Sequence, residues 1–87
     1  MKQINLSGRE QAVLRAIDYT VGSTGEEIFE RTQIEPGDVA DILNGLFDVG
    51  FVETFPPVGP ITALNFSATR FEMNPSYALQ LKAALKR

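Results

Sequence analysis

Carboxylates are the ionisable side chains that this sequence groups most densely. Residues 26–53 contain eight acids and a single base, Arg31, so this segment carries a net charge of −7 while the remaining residues carry +4. Asp38 and Asp41 lie three residues apart, a spacing at which two carboxylates on one helix face could hold a divalent cation. Because no matching ligands flank them, we interpret the aspartates as a solvated helix face, with a protein-docking face as the alternative.

The chain contains no histidine and no cysteine. It therefore lacks the commonest general base and metal ligand, any thiolate nucleophile and any disulfide. Residues 22–27, GSTGEE, superficially suggest a phosphate-cradling loop before a helix, but the segment has no Walker lysine, and the acids in the following turn would repel a phosphate. We interpret it as a capped turn, and we expect neither an enzyme nor a bound cofactor or metal.

Capping residues and hydrophobic spacing indicate the helices that would position these side chains. Ser7 with Glu10, and Thr24 with Glu27, have the spacing of reciprocal capping pairs, and Pro36 suits a first helical turn. These signals predict helix 1 over 8–21, helix 2 over 25–33 and helix 3 over 36–49. Helix 3 has the clearest apolar period, formed by Val39, Ile42, Leu43, Leu46 and Phe47.

After Gly50 the sequence alternates as a strand would, and we predict a β-hairpin wing over 51–73. Its turn falls at Pro56, Pro57, Gly59 and Pro60, and ITALNF at 61–66 could form a further short strand. No clear strand is predicted between helices 1 and 2. Asn74 and Pro75 then start a C-terminal helix over 75–87. At this length we expect one domain spanning 1–87.

This order of elements resembles a winged helix-turn-helix domain. The segments TGEEIFERTQIEPGDVADILNGLFDVGFVE and RFEMNPSYALQL are similar to helix 2, helix 3 and the second wing strand of small transcriptional regulators of the MarR, PadR and ArsR type. The resemblance implies a mainly α fold with a small antiparallel β wing, built as a three-helix core, a β-hairpin and a C-terminal helix. It also implies a homodimer that inserts helix 3 into near-palindromic DNA and places Arg70 on the wing. The missing strand between helices 1 and 2 departs from the pattern.

The outward side of helix 3 does not have the composition of a DNA-reading surface. The predicted exposed residues are small or acidic, namely Gly37, Asp41, Asn44, Gly45 and Asp48. DNA binding draws much of its free energy from Lys and Arg on phosphates, and base reading most often uses Arg on guanine. If DNA is bound, we expect Arg31 and Arg70 to position phosphates and Asn44 to contact a base.

Two functions follow. The first is a DNA-associated regulator of transcription, and the alternative is a winged-helix interaction module whose acidic helix 3 docks a basic protein partner. An uncharged apolar loop and a second apolar side of the last helix also predict a homodimer, with contacts at Leu64, Phe66, Leu79 and Ala83. No stretch approaches the roughly 20 apolar residues of a membrane helix, and the N-terminus lacks the apolar run of a signal peptide, so we expect a cytoplasmic protein without a membrane partner.

Overall fold

A computed structural model describes residues 6–55 and 60–86 of the chain. Its elements, in chain order, are α1 (Gly8–Arg15), β1 (Ser23–Thr24), α2 (Gly25–Thr32), α3 (Pro36–Asp48), β2 (Val52–Phe55), β3 (Arg70–Met73), a 3₁₀ turn (Pro75–Tyr77) and α4 (Ala78–Leu85). The described part is mainly α with a small antiparallel sheet, as predicted. The predicted turn residues Pro56, Pro57 and Gly59, and the last residue of the predicted terminal helix, lie outside it.

Local capping chemistry starts the first two helices as the sequence predicts. Ser7 Oγ accepts a hydrogen bond from the Glu10 N–H at 3.2 Å, and the Glu10 carboxylate accepts one from the Ser7 N–H at 2.8 Å. Thr24 and Glu27 repeat both bonds at the start of α2, with the same two distances. The predicted ends of helices 2 and 3 each lie within one residue of the observed ends of α2 and α3.

Helix α1 is shorter than predicted, ending at Arg15 and not near residue 21. Asp18 stops it from continuing, because its carboxylate accepts hydrogen bonds from the N–H groups of Thr20 and Val21 at 2.7 and 3.2 Å, a turn that competes with helix. These backbone donors hold the pKa of Asp18 below its ordinary value. Val21, which lies inside the predicted span of helix 1, is consequently 60% exposed.

The prediction of no strand between helices 1 and 2 is wrong. Ser23 and Thr24 form β1, which pairs antiparallel with β3, and β3 in turn pairs with β2, giving the order β1-β3-β2. A strand of two residues is too short to show alternation, and it is stabilised by pairing with residues far along the chain. The further strand suggested over 61–66 does not form. Thr62 Oγ1 accepts hydrogen bonds from the N–H groups of Leu64 and Asn65, and these bonds hold a turn there.

The hydrophobic core joins all of the described helices to the sheet. Helix α3 contributes fully buried aliphatic side chains, and Phe71 of β3 and Leu81 of α4 are buried with them. Phe71 and Met73 lie on the core side of β3, whereas its two charged residues lie partly exposed on the other side, as the alternation predicted. Buried apolar area of this kind supplies the main favourable free energy of folding.

Residues 60–69 close over the start of α2 and occupy the donors of its first turn. The N–H groups of Gly25 and Glu26 donate to the carbonyl oxygens of Thr69 and Ser67 at 3.0 and 3.2 Å. The GSTGEE segment is thus a capped turn, as predicted, and its helix donors bind the protein's own backbone. The approach is close enough that a Cβ atom on Gly25 would overlap the backbone of Phe66.

Substitution of Gly25 by alanine tests this close approach. Gly25→Ala should destabilise the protein by about 3 kcal/mol, because the added methyl group overlaps backbone that cannot rotate away. Gly8→Ala is the matched control, since Gly8 is also the first residue of a capped helix and an added Cβ there meets nothing within 4 Å. Urea unfolding measures both variants, and equal stability of the two would contradict the packing of residues 60–69 on α2.

Candidate functional site

Packing of α3 determines which of its side chains face solvent. Val39, Leu43 and Leu46 are buried on the side that contacts α1 and α2. The opposite side is exposed, as the sequence predicts, and we call it the α3 surface, formed by Gly37, Asp41, Gly45 and Asp48. Asn44 borders it and is half-buried.

The α3 surface is negatively charged without compensation from its own helix. Helix α3 contains no Lys or Arg. Asp38, at its edge, pairs with Arg9 of α1 at 3.2 Å, whereas Asp41 and Asp48 take part in no ion pair within the described part of the chain. Asp48 is also the last residue of α3, where the negative end of the helix dipole disfavours an acid.

Two glycines make the same surface nearly flat. An alanine Cβ at Gly37 or Gly45 would meet no atom within 4 Å, and neither glycine has a positive φ. The fold therefore does not require glycine at either position. In a helix interior, Gly45 costs about 1 kcal/mol relative to alanine. Gly45 and the C-terminal Asp48 both lower the stability of α3. Residues that lower stability without a structural need are typical of a functional site.

Arg31, predicted to position a DNA phosphate, lies inside a structural hydrogen-bond network. Its guanidinium donates to the carbonyl oxygen of Ala16 and to Ser23 Oγ, the latter at 2.9 Å. It also lies 3.9 Å from the Glu27 carboxylate. Arg31 thereby joins the end of α1 to β1, and much of its donor capacity is used inside the chain.

Arg70 and Asn44, the other two predicted DNA contacts, also bind their own chain. Arg70 lies on the central strand β3, beside β1 and β2, and its guanidinium donates to the carbonyl oxygen of Val21 at 3.0 Å. Asn44 accepts a hydrogen bond from the Ile61 N–H at 3.4 Å. No ion pair or hydrogen bond joins Arg31, Asn44 and Arg70 to one another, so the structure does not unite them in one contact network.

The residues predicted for a dimer contact divide into exposed and buried ones. Leu64 and Leu79 are 95% and 81% exposed, and Ala83 is exposed beside Leu79 on α4. Phe66 is only 4% exposed because it packs into the core where residues 60–69 cover α2. Phe66 therefore does not present its side chain to a partner, and its assignment to the dimer contact is corrected.

A basic cleft, which the sequence reasoning missed, lies between the end of α1 and α4. We use this name for the space of about 360 Å³ lined by Arg15, Tyr19, Lys82, Leu85 and Lys86. Lys82 Nζ lies 4.8 Å from the centre of the Tyr19 ring, and Arg15 donates to the carbonyl oxygen of Leu85. Partial burial raises the pKa of Tyr19 above its ordinary value. The sequence shows Lys82 and Lys86 only as basic residues in the last predicted helix.

The divalent-cation hypothesis for Asp38 and Asp41 finds no support in the geometry. In residues 6–55 and 60–86, no group of three or more potential ligands lies close enough to hold a metal ion. Over the same ranges, no helix is long and apolar enough to cross a membrane.

Comparison with known proteins adds no relative. No protein-family model matches the sequence, and neither a curated protein nor a solved structure matches the chain. The function is therefore argued from the residues and their geometry.

Arg31→Gln should show that this arginine is a structural residue. Loss of its charged hydrogen bonds to Ala16 and Ser23, discounted for partial exposure, should cost about 1 kcal/mol of stability. Arg9→Gln removes the same charge from an exposed pair with Asp38 and should change stability by less than about 0.5 kcal/mol. Urea unfolding compares the two variants. If Arg31→Gln lowers the free energy of unfolding no more than Arg9→Gln does, Arg31 is not a structural residue and could contact DNA.

Proposed function

We propose that this chain is a winged-helix interaction module whose α3 surface docks a basic surface on a protein partner. The observation that carries this proposal is the exposure of Asp41 and Asp48 on a helix without a single cation. A second observation supports it, since the glycine between them is not required by the fold.

The winged-helix part of the proposal is supported by the order of the elements. A helix, a short strand, two helices, two paired strands and a final helix follow one another, and the first strand joins the same sheet as the other two. The presence of β1 removes one departure of the sequence from the winged-helix pattern; the other is the loop from Phe55 to Ser67, which is longer and more apolar than a DNA-contacting wing needs. This support is an analogy of architecture, which by itself does not fix function.

The charge of the α3 surface disfavours phosphate as its ligand. A DNA groove places many phosphates near an inserted helix, and each aspartate brought close to one would oppose binding. Arg31 and Arg70 already donate to backbone carbonyl oxygens of their own chain, which commits part of their donor capacity inside the protein. A cationic protein surface attracts the aspartates and involves no repulsion from phosphates.

The spacing of the aspartates indicates one kind of partner that would fit them. Asp41 and Asp48 are seven residues apart, so they lie two turns and roughly 10 Å apart along α3. A partner helix with Lys or Arg at positions i and i+7 presents cations at the same separation. Gly45, which lies between the two aspartates, lets such a helix approach closely.

A DNA-associated regulator of transcription is the second candidate function. It is favoured by the element order, which resembles that of small DNA-binding regulators. Under this function, binding would use cations outside α3 and would weaken steeply with rising salt.

Removing the two charges should separate these functions. Asp41→Asn with Asp48→Asn should weaken binding of a labelled helical peptide with lysines at i and i+7 by about tenfold at low salt, because two exposed ion pairs are lost. Fluorescence anisotropy measures the affinity. Glu30→Gln with Glu53→Gln is the matched control, since it removes two exposed charges outside α3 and should leave the affinity nearly unchanged. Tighter binding of random duplex DNA by the asparagine variant, with no peptide binding by the wild type, would overturn the proposal in favour of DNA.

Gly45→Ala tests the shape of the α3 surface without changing its charge. The variant should be more stable to urea by about 1 kcal/mol, because alanine favours a helix interior and its methyl group has free space. Binding of the same peptide should nevertheless weaken, since the methyl group stands between the aspartates where the partner approaches. A gain in stability with undiminished affinity would exclude close contact at Gly45.

A further inference from the structure

The basic cleft groups three positively charged side chains. Arg15, Lys82 and Lys86 line it, and among the described residues no acidic side chain does. The ion pairs within the described part of the chain involve other arginines, Arg9 and Arg31. Lys82 and Lys86 are also four residues apart on α4, a spacing at which like charges destabilise a helix by a few tenths of a kcal/mol. The cleft is thus suited to receive anionic groups.

Helix-end chemistry accounts for only part of this charge. Basic residues in the last turns of α1 and α4 complement the helix dipoles, and Arg15 caps a carbonyl oxygen at the end of α4. These roles do not require the cleft to be concave or to include Tyr19 and the half-buried Leu85. The apolar lining favours carboxylates attached to a protein surface, which can bury its own apolar atoms there.

The α3 surface has the features that complement this cleft. It carries two carboxylates without ion-pair partners in the described residues, and its glycines give it low relief. It shares no residue with the basic cleft, so one copy can present both surfaces at once. The sequence shows the same separation of charge, since the segment 26–53 carries −7 and the rest of the chain carries +4.

We propose that the basic cleft of one copy of this chain receives the α3 surface of a second copy. The proposal rests on the proposed function, because it names a second copy as the basic partner of α3. The contact is head-to-tail, since two different surfaces meet, and each pair leaves one cleft and one α3 surface free. Association therefore continues beyond the dimer into a ring or a chain, and it weakens as salt screens the charges.

Two charge-reversed variants test this contact by complementation. Asp41→Lys with Asp48→Lys reverses the charge of the α3 surface, and Lys82→Glu with Lys86→Glu reverses the charge of the two lysines in the basic cleft. All four side chains are exposed. In sedimentation velocity at low salt and high micromolar concentration, the wild type should associate beyond a dimer and return to monomer at about 0.5 M salt. Each variant alone should self-associate on the order of 100-fold more weakly, because like charges now face each other.

An equal mixture of the two variants gives the sharpest result. In the mixture the intact cleft of one variant meets the intact α3 surface of the other, and the two reversed surfaces are also opposite in charge, so association should be restored beyond the dimer. A chain carrying all four substitutions should self-associate again, since both charges are exchanged. Glu53→Lys, which reverses an exposed charge on β2, is the control and should associate like the wild type. Circular dichroism verifies that each variant is folded.

Three results would overturn the proposal. They are a wild type that stays monomeric at low salt, variants that self-associate as strongly as the wild type, and a mixture that forms no complex. Self-association that survives both reversals would indicate another interface, such as Leu79 and Ala83. If the wild type is monomeric but the lysine peptide still binds through Asp41 and Asp48, the docking function of α3 stands and only self-association fails.

Discussion

Burial of the aliphatic side of α3 is the constraint on which the account depends. Val39, Leu43 and Leu46 pack where α1 and α2 meet the sheet, so the rotation of α3 about its own axis is fixed. Any other rotation would place Asp41 or Asp48 in the core, where an unpaired carboxylate is strongly unfavourable. The same packing that stabilises the chain therefore holds two acids and two glycines toward solvent.

Arg31 and Arg70 form hydrogen bonds that join separate parts of the fold. Arg31 holds the end of α1 against β1, and Arg70 holds the turn before β1 from the neighbouring strand. Both donate to backbone carbonyl oxygens, those of Ala16 and Val21. Arg15, Lys82 and Lys86 lie elsewhere, in the basic cleft between α1 and α4, which gives the chain separate acidic and basic surfaces.

The parts of the fold that were predicted correctly depend on neighbours in sequence, and the parts that were missed depend on distant ones. Capping pairs and apolar spacing are local, so α2, α3 and the outward side of α3 followed from the residues themselves. The early end of α1 is an exception, because it depends on a local turn at Asp18, but the strand β1 and the burial of Phe66 depend on residues far along the chain. The basic cleft was missed for the same reason, because it joins Arg15 and Tyr19 to α4.

The most direct test of the account is a titration followed by the backbone amide NMR signals of the α3 surface. Addition of the lysine-bearing helical peptide should shift the signals of Gly37, Asp41, Gly45 and Asp48, while addition of random duplex DNA at the same salt should leave them in place. The account would be contradicted if DNA shifted the signals of α3 together with those of Arg31 and Arg70, and the peptide shifted none.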